Sequence, residues 1–217
     1  MLVWLRQRVL MQLFIIYLRY LIGGAFVFAS LVKLQGHRFT TDSGAAAPIH
    51  SASHFFETMY QSGLYWQFIG LGQLVAGLLL MSQRQARLGA VLFLPIMASV
   101  FVITLSYDFA FTPVITGLML LGNLLFIWWE WPALRVLVHQ PPLLLEASPL
   151  YHDRVWEVTG LALFIFTFGY RLLIARYHVL FWLAGCLLLG LAGLAAGLLR
   201  QRRRLAVTNS DNRLRTE

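Results

Sequence analysis

The chain holds a single cysteine, Cys186, and that one lies inside an apolar run. A lone thiol excludes an internal disulfide, a Cys-x-x-Cys dithiol relay and a cysteine-ligated iron–sulfur cluster built by this chain alone. Charge is also scarce. Asp, Glu, Lys and Arg make up 12% of the 217 residues, about half the share of an ordinary soluble domain. Sustained alternation of period two is missing, which argues against a membrane β-barrel. No two histidines fall at matched depth in two apolar runs, so a membrane haem held by a histidine pair is disfavoured. Nor do two Gly- or Pro-broken runs occupy matching positions, as an inverted-repeat transporter would have.

What the chain does hold is apolar bulk. Hydrophobic residues reach 59% and the mean hydropathy is +0.70, the profile of an integral membrane protein. Seven Trp, eight Tyr and sixteen Phe supply lipid-facing bulk and anchors at the headgroup level. The formal net charge of +8 does not point to nucleic acid, because the basic residues flank apolar runs. The densest cluster, RQRRR at 200–204, directly follows one, so a lipid bilayer with anionic headgroups is the expected partner.

Six apolar segments, at about 10–34, 65–81, 88–107, 113–131, 155–175 and 179–199, have the length of spanning helices. Backbone polar groups in lipid must be satisfied internally, so the expected fold is all-α, a polytopic transmembrane helical bundle. Arg6 and Arg8 before the first segment imitate a secretory signal, but the segment is long and has no good small-x-small cleavage site, which reads as an uncleaved first span. With the N-terminus inside, Arg6, Arg8, Arg84, Arg87, Arg135, Arg154 and the tail arginines Arg200, Arg202, Arg203 and Arg204 share the inner side; Lys33, Arg38, Arg171 and Arg176 share the outer one. That bias places both termini in the cytoplasm. Two loops are long. The outer one, 35–64, is rich in His, Ser and Ala; the inner one, 132–154, is broken by Pro141, Pro142 and Pro149 yet carries enough Leu and Val to lie on the membrane surface. The chain thus divides into a four-helix unit at 1–131, an inner linker at 132–154, a two-helix extension at 155–199 and a basic tail at 200–217.

The first span poses a problem of length. Between Arg19 and Lys33 lie 13 residues, roughly 20 Å of helix against a hydrocarbon core of about 30 Å. A helix that begins near Val9 is long enough, and Arg19 then falls inside it. Arg8, Gln12, Arg19, Ser30 and Lys33 lie within a sector of about 60°, a polar stripe interrupted by Ile15 and Phe26. A mid-span charge costs on the order of 2.5 to 3.5 kcal/mol. Either Arg19 faces the bundle interior, a wet cavity or a partner, or it snorkels to the inner surface with the preceding residues lying flat. Gln73 in the second span and Asn123 in the fourth are amides placed to meet the stripe, while Glu130 and Asp108 sit near opposite span ends. Arg19, Lys33, Gln73 and Asn123 are therefore the ligand-binding candidates, although an amide such as Gln73 serves interhelical hydrogen bonding as readily. No catalytic residue emerges.

In the outer loop His50, His54 and Glu57 are spaced i, i+4 and i+7, one face of a helix and a spacing compatible with a divalent metal. Pro48 and the nearby serines start that helix around Ser51 or Ser53, which leaves His50 outside and favours a polar face over a metal site. Gly63, Gly70 and Gly77 recur every seven residues and would let a neighbouring backbone approach. In the last span Gly193 and Gly197 form a GxxxG pair extended by Gly190, a candidate face for a homo-oligomer.

With these residues placed, the chain resembles the DoxX-like family of small bacterial and archaeal membrane proteins over about residues 15–131. Arg19 followed by YLIGGAFVFASLVKL is similar to the family's opening pattern of an Arg, a Gly-containing apolar helix and a Lys-Leu pair, here Lys33 and Leu34. GLLLM at 77–81 and RLGA at 87–90 are similar to the family's Gly-Leu-Leu-Leu helix end and the Arg of its following loop. Family members often carry a Glu in the second span, where this chain has Gln73. The long outer loop and the two extra spans lie outside the pattern. Characterised relatives include membrane subunits of thiosulfate:quinone oxidoreductase and a membrane component of an oxidoreductase complex in oxidative-stress defence. The resemblance therefore implies a bacterial inner-membrane subunit or anchor of a quinone-linked oxidoreductase complex, with quinone held near Arg19, Gln73 and Lys33. Having no flavin motif, haem pair or cysteine cluster, the chain would be at most a membrane subunit of such an enzyme, fed with electrons by a protein partner. A non-catalytic membrane scaffold and a small-molecule transporter are the alternatives.

Overall fold

A computed structural model of the chain describes residues 2–40, 42–107, 109–143, 150, 153–174 and 178–214. Asp108, Pro149 and Arg176 lie outside the described residues. Among the described ones there are helices and turns and no strand. A short α1 (Leu2–Gln7) turns at Arg8 into α2 (Val9–Leu34); α3 (Ala52–Gln61) lies in the long loop that follows; α4 (Leu64–Met81), α5 (Ala86–Ser106) and α6 (Thr112–Leu134) run back and forth, and α6 ends in a 3-10 turn at Arg135–Val138. After the linker come α7 (Arg154–Leu173) and α8 (Val179–Leu214). Six of these, α2 and α4 to α8, are long and apolar enough to cross a membrane, and the chain is a multi-pass membrane protein. The crossings leave one end, called the terminal end, at Arg8, Gln83 and Arg135, and a distal end at Gln35, Gly63, Tyr107 and Ile174.

The length problem of the first span resolves as expected: α2 has 26 residues and begins at Val9. It is also the most enclosed helix, with 67% of its most apolar stretch buried against 11% for α8. One face joins Ile15, Ile22 and Phe26 to Leu80 of α4, Phe93 and Met97 of α5 and Phe126 of α6. The opposite face joins Ile16, Tyr20 and Val27 to Met81, Trp156 and Leu163. Because α2 is buried on both sides, the polar groups in its sequence have nowhere to go but inward: Gln12, Arg19, Ser30 and Lys33 are all buried.

Close contact depends on small residues. A Cβ on Gly77 would stand 2.9 Å from the Gly23 carbonyl oxygen and from Val27, and one on Gly70 would stand 2.8 Å from the Cβ of Lys33, so α4 lies directly on α2. Gly63 is not part of that stripe, since it precedes α4 with a left-handed φ of 58°.

The glycines of α8 serve a different partner from the one expected. A Cβ on Gly193 would collide with the Thr159 side chain, and one on Gly197 would stand 2.5 Å from the Trp156 ring. Tyr17 donates a hydrogen bond to the Gly190 carbonyl at 2.7 Å. The stripe is therefore filled within the chain by α7 and α2, which corrects its reading as a homo-oligomer face. The sequence pattern is the same for either partner; only the fold decides which one fills it.

The tightest approach of α7 is at Gly160, where an added Cβ would collide with the Met81 carbonyl oxygen and the Tyr20 ring. Backbone cannot yield as a flexible side chain can. Gly160→Ala should lower the thermal unfolding midpoint in detergent by the equivalent of about 1 to 3 kcal/mol of overpacking. Gly169→Ala, with nothing within 4 Å of the added atom, should leave the midpoint in place; equal behaviour of the two variants would mean that α7 does not dock as described.

Candidate functional site

Two polar sites lie at opposite ends of the first four spans. At the terminal end Arg19, with 0% exposure, donates from Nη2 to Glu130 Oε1 at 2.8 Å and from Nη1 to Gln83 Oε1 at 3.0 Å. Glu130, also at 0% exposure, accepts from Arg87 Nε through Oε2 at 2.8 Å, and Arg6 Nη2 stands 3.7 Å from the same oxygen. Gln83 reaches the cluster from the α4–α5 turn with a left-handed φ of 57°. The ring of Phe126 lies 5.9 Å from the Arg19 guanidinium and that of Trp129 5.4 Å from Arg6. Arg19 thus faces the bundle interior and does not snorkel, and its nearest acid is on α6. In a water-poor interior this pairing ties α2 to α6, because neither charge can separate without entering low dielectric alone.

At the distal end a cavity of about 520 Å³ opens between α2, α4, α5 and α6. Its walls are apolar and aromatic, and Lys33, Gln73, Thr104 and Thr116 supply most of its polar character. The two threonines pair with each other at 2.8 Å and with carbonyls of their own helices. Lys33, 6% exposed, donates to the Ala29 carbonyl at 3.2 Å, and its Nζ stands 5.0 Å from the ring centres of both Phe39 and Trp66. Gln73 is 4% exposed, and its Oε1 is buried with no hydrogen-bond partner. Such an orphan costs about 1 to 3 kcal/mol.

The four sequence candidates therefore part company. Lys33 and Gln73 share the cavity, while Arg19 lies in the ion cluster at the other end of the bundle. Asn123 joins neither: with its amide oriented to satisfy both groups, it donates to the Ala90 carbonyl at 3.2 Å and accepts from the Leu94 N–H at 3.1 Å. It stitches α6 to α5 on the turn before Pro95. The acid Glu130 received less weight from sequence than it holds in the structure. A signal for it existed, since it is the one acid inside the first four expected spans and Arg19 the one base near the middle of a span.

The loop over the cavity is held by a second ion pair. Arg38 donates to Glu57 from Nε at 2.8 Å and from Nη2 at 3.1 Å, and Glu57 also accepts from the Gly44 N–H and from Gln61, each at 3.2 Å. The Arg38 hydrogen bonds draw the Glu57 carboxyl down to about 2, with the Gly44 and Gln61 contacts adding to the effect and burial opposing it. Phe39 stacks on Phe56, and Phe56 packs edge-on against Phe109, to roof the cavity. α3 begins at Ala52 with Ser51 as its N-cap, accepting from the His54 N–H at 3.2 Å, so His50 is outside the helix. Glu57 faces Arg38, and among the described residues no three of His, Cys, Asp or Glu gather as metal ligands would.

Two outcomes follow from these geometries. Glu130→Ala strands a buried guanidinium and should cost about 3 to 5 kcal/mol in detergent unfolding, whereas Arg87→Ala, whose side chain is 51% exposed, should cost about 1 kcal/mol or less. The roof should loosen in acid. Because Glu57 titrates at about 2 folded against an ordinary 4.5, its contribution is complete above pH 4.5 and is lost as pH falls toward 2. The protection factors of residues 42–63 against hydrogen exchange, taken relative to the intrinsic rate at each pH, should fall across that window in the parent chain, and Glu57→Gln should make them independent of pH there.

A family model described as DoxX matches residues 14–106, a stretch that runs from α2 to the end of α5 and includes Arg19, Lys33, Glu57 and Gln73. The chain is 33% identical over 82 residues to "Uncharacterized protein YwoB" of Bacillus subtilis (strain 168), a match that takes in 38% of this chain and 53% of that relative. The chain thus spans about half the length of the curated relative it matches. No solved structure matches. With six apolar helices of spanning length, the chain is a multi-pass membrane protein whose residues 14–106 match the DoxX family model, with further spans beyond the matched stretch.

Proposed function

We propose that the chain is a membrane subunit of a quinone-linked oxidoreductase complex, and that the distal cavity holds a quinone ring between Lys33 and Gln73. The observation that carries this reading is that two buried polar side chains, Lys33 and Gln73, the second with an amide oxygen that has no hydrogen-bond partner, line one aromatic-walled cavity. A volume of about 520 Å³ lies in the range of small-ligand sites. When bound, the quinone supplies two-electron, two-proton redox chemistry. Lys33 would hold one ring oxygen through its ammonium and Gln73 the other, through its NH₂ toward the quinone and through its amide oxygen toward the hydroxyl of the quinol. Trp66 and Phe39 flank the ammonium and shield it from water. Electrons come from a protein partner, because the sequence offers no flavin, haem-pair or cysteine-cluster motif. Gln73 in place of a carboxylate keeps that pole of the site neutral, leaving Lys33 as its charged group.

The concentration of basic residues at the terminal end supports a bacterial cytoplasmic membrane with both termini inside. A four-helix unit at 1–131, a linker at 132–154, a two-helix extension at 155–199 and a tail at 200–217 fit this reading, since neither of the last two spans lines the cavity.

Purified from its own membranes in mild detergent, the protein should carry quinone in its organic extract, and Lys33→Met combined with Gln73→Leu should remove it while the unfolding midpoint is kept. A wild-type extract free of quinone, together with no quenching of tryptophan fluorescence by added quinone, would sink the proposal and favour a scaffold.

A further inference from the structure

The cavity has a roof but also an open side. Near the terminal end α4 and α5 are in tight contact, since a Cβ on Gly89 would stand 2.7 Å from the Leu80 nitrogen. Halfway along, a Cβ on Gly72 would stand 3.4 Å from Ile96. Beyond that point α5 has passed Pro95, which lacks an N–H and crowds the turn before it, the usual cause of a change in helix direction. In this distal half Ile69 on α4 and Ser99, Val100 and Ile103 on α5 border the cavity. Several lining residues on this flank also face outward: Tyr65 is 56% and Phe68 67% exposed, and Pro95 and Ser99 are exposed as well. On a spanning helix the surroundings of an exposed side chain are lipid, so Phe68 and Ser99, which line the cavity and are exposed within α4 and α5, mark a mouth toward the bilayer, whereas Phe39, 47% exposed, lies in the loop and is held over the cavity by stacking on Phe56. On the water side the aromatic roof of Phe39, Phe56 and Phe109 covers the same cavity.

We infer that the cavity is loaded sideways from the bilayer between α4 and α5, and that its ligand carries a long apolar tail that remains in the mouth between Phe68 and Ser99. The inference rests on the quinone reading for the ring and adds the tail and the route. A polar head reaches Lys33 and Gln73 only by leaving the membrane laterally, and its tail avoids desolvation of any kind because it never leaves hydrocarbon. A water-borne ligand of the same ring chemistry would have to lift the roof and break the Arg38–Glu57 pair.

The full chain in lipid nanodiscs, titrated with two benzoquinone probes that share a ring, one with a decyl tail and one with none, separates these claims. Trp66 lines the cavity and is 1% exposed, so the quenching lost in Trp66→Phe reports occupancy. Both probes should quench the wild type. Ser99→Trp narrows the mouth and should slow association of the decyl probe by about tenfold or more, while the tail-less probe keeps its wild-type behaviour. Phe68→Ala widens the mouth and should speed the decyl probe, a gain that misfolding would not produce. Quenching by neither probe overturns the quinone reading and the side route together. Quenching by both, with the decyl probe indifferent to Ser99→Trp and Phe68→Ala, overturns the side route and leaves the quinone reading standing, while slowing of both probes alike by Ser99→Trp overturns the claim that the tail lies in the mouth.

Discussion

The buried ion pair between Arg19 and Glu130 is the constraint from which the architecture of the first four spans follows. An arginine in the body of a membrane helix is tolerable only if its charge is answered, and the answer comes from the far end of α6, 111 positions away. Once that pair is closed, α6 must lie beside the terminal half of α2, where Gly122 admits Ile22 and Leu18. The distal half of the bundle is under no such restraint. It is there that α2, α4, α5 and α6 surround a cavity in place of a continuous core. The ion cluster is thus better described as a clamp than as a binding site, and the space it leaves open is the site.

A second consequence concerns α2. Its sequence looks like a span spoiled by polar residues, yet each of them has a defined place along one helix: Gln12 hydrogen-bonds to the Arg6 carbonyl, Arg19 to α6, and Ser30 and Lys33 to carbonyls of their own helix, Lys33 at the cavity end. The helix is a shared wall between two cores, and the residues that would be liabilities on a lipid-facing span become its internal fittings.

Much of this was legible from sequence, and the limits were physical. The start of α2 near Val9, the N-cap at Ser51 and the six spans were readable because length, capping and hydropathy are local properties. The cost of a charge in lipid left two places for Arg19, the interior and the inner surface, and the structure takes the first. Its partner was not legible, because pairing across 111 residues depends on which helix ends are brought together. The cavity was hidden for the same reason, as Lys33 and Gln73 belong to different helices and become neighbours only through the Gly70 contact between α2 and α4. The Gly193 stripe was read correctly as a packing face but assigned to the wrong neighbour, since a small-residue stripe does not encode which chain fills it.

Packing of α7 and α8 onto α2 has to be held by something other than the force that folds soluble proteins, because an apolar face left bare in a bilayer meets hydrocarbon as comfortably as it meets another helix. What lipid cannot replace is a hydrogen bond. Tyr17 gives its hydroxyl proton to the Gly190 carbonyl and Tyr20 gives its own to the Trp156 carbonyl, two phenols from adjacent turns of α2 that each take hold of a different added helix. The last two spans are therefore fastened by a pair of hooks and a set of notches, and an assembly fastened in that way has a definite register where a greasy contact alone would slide.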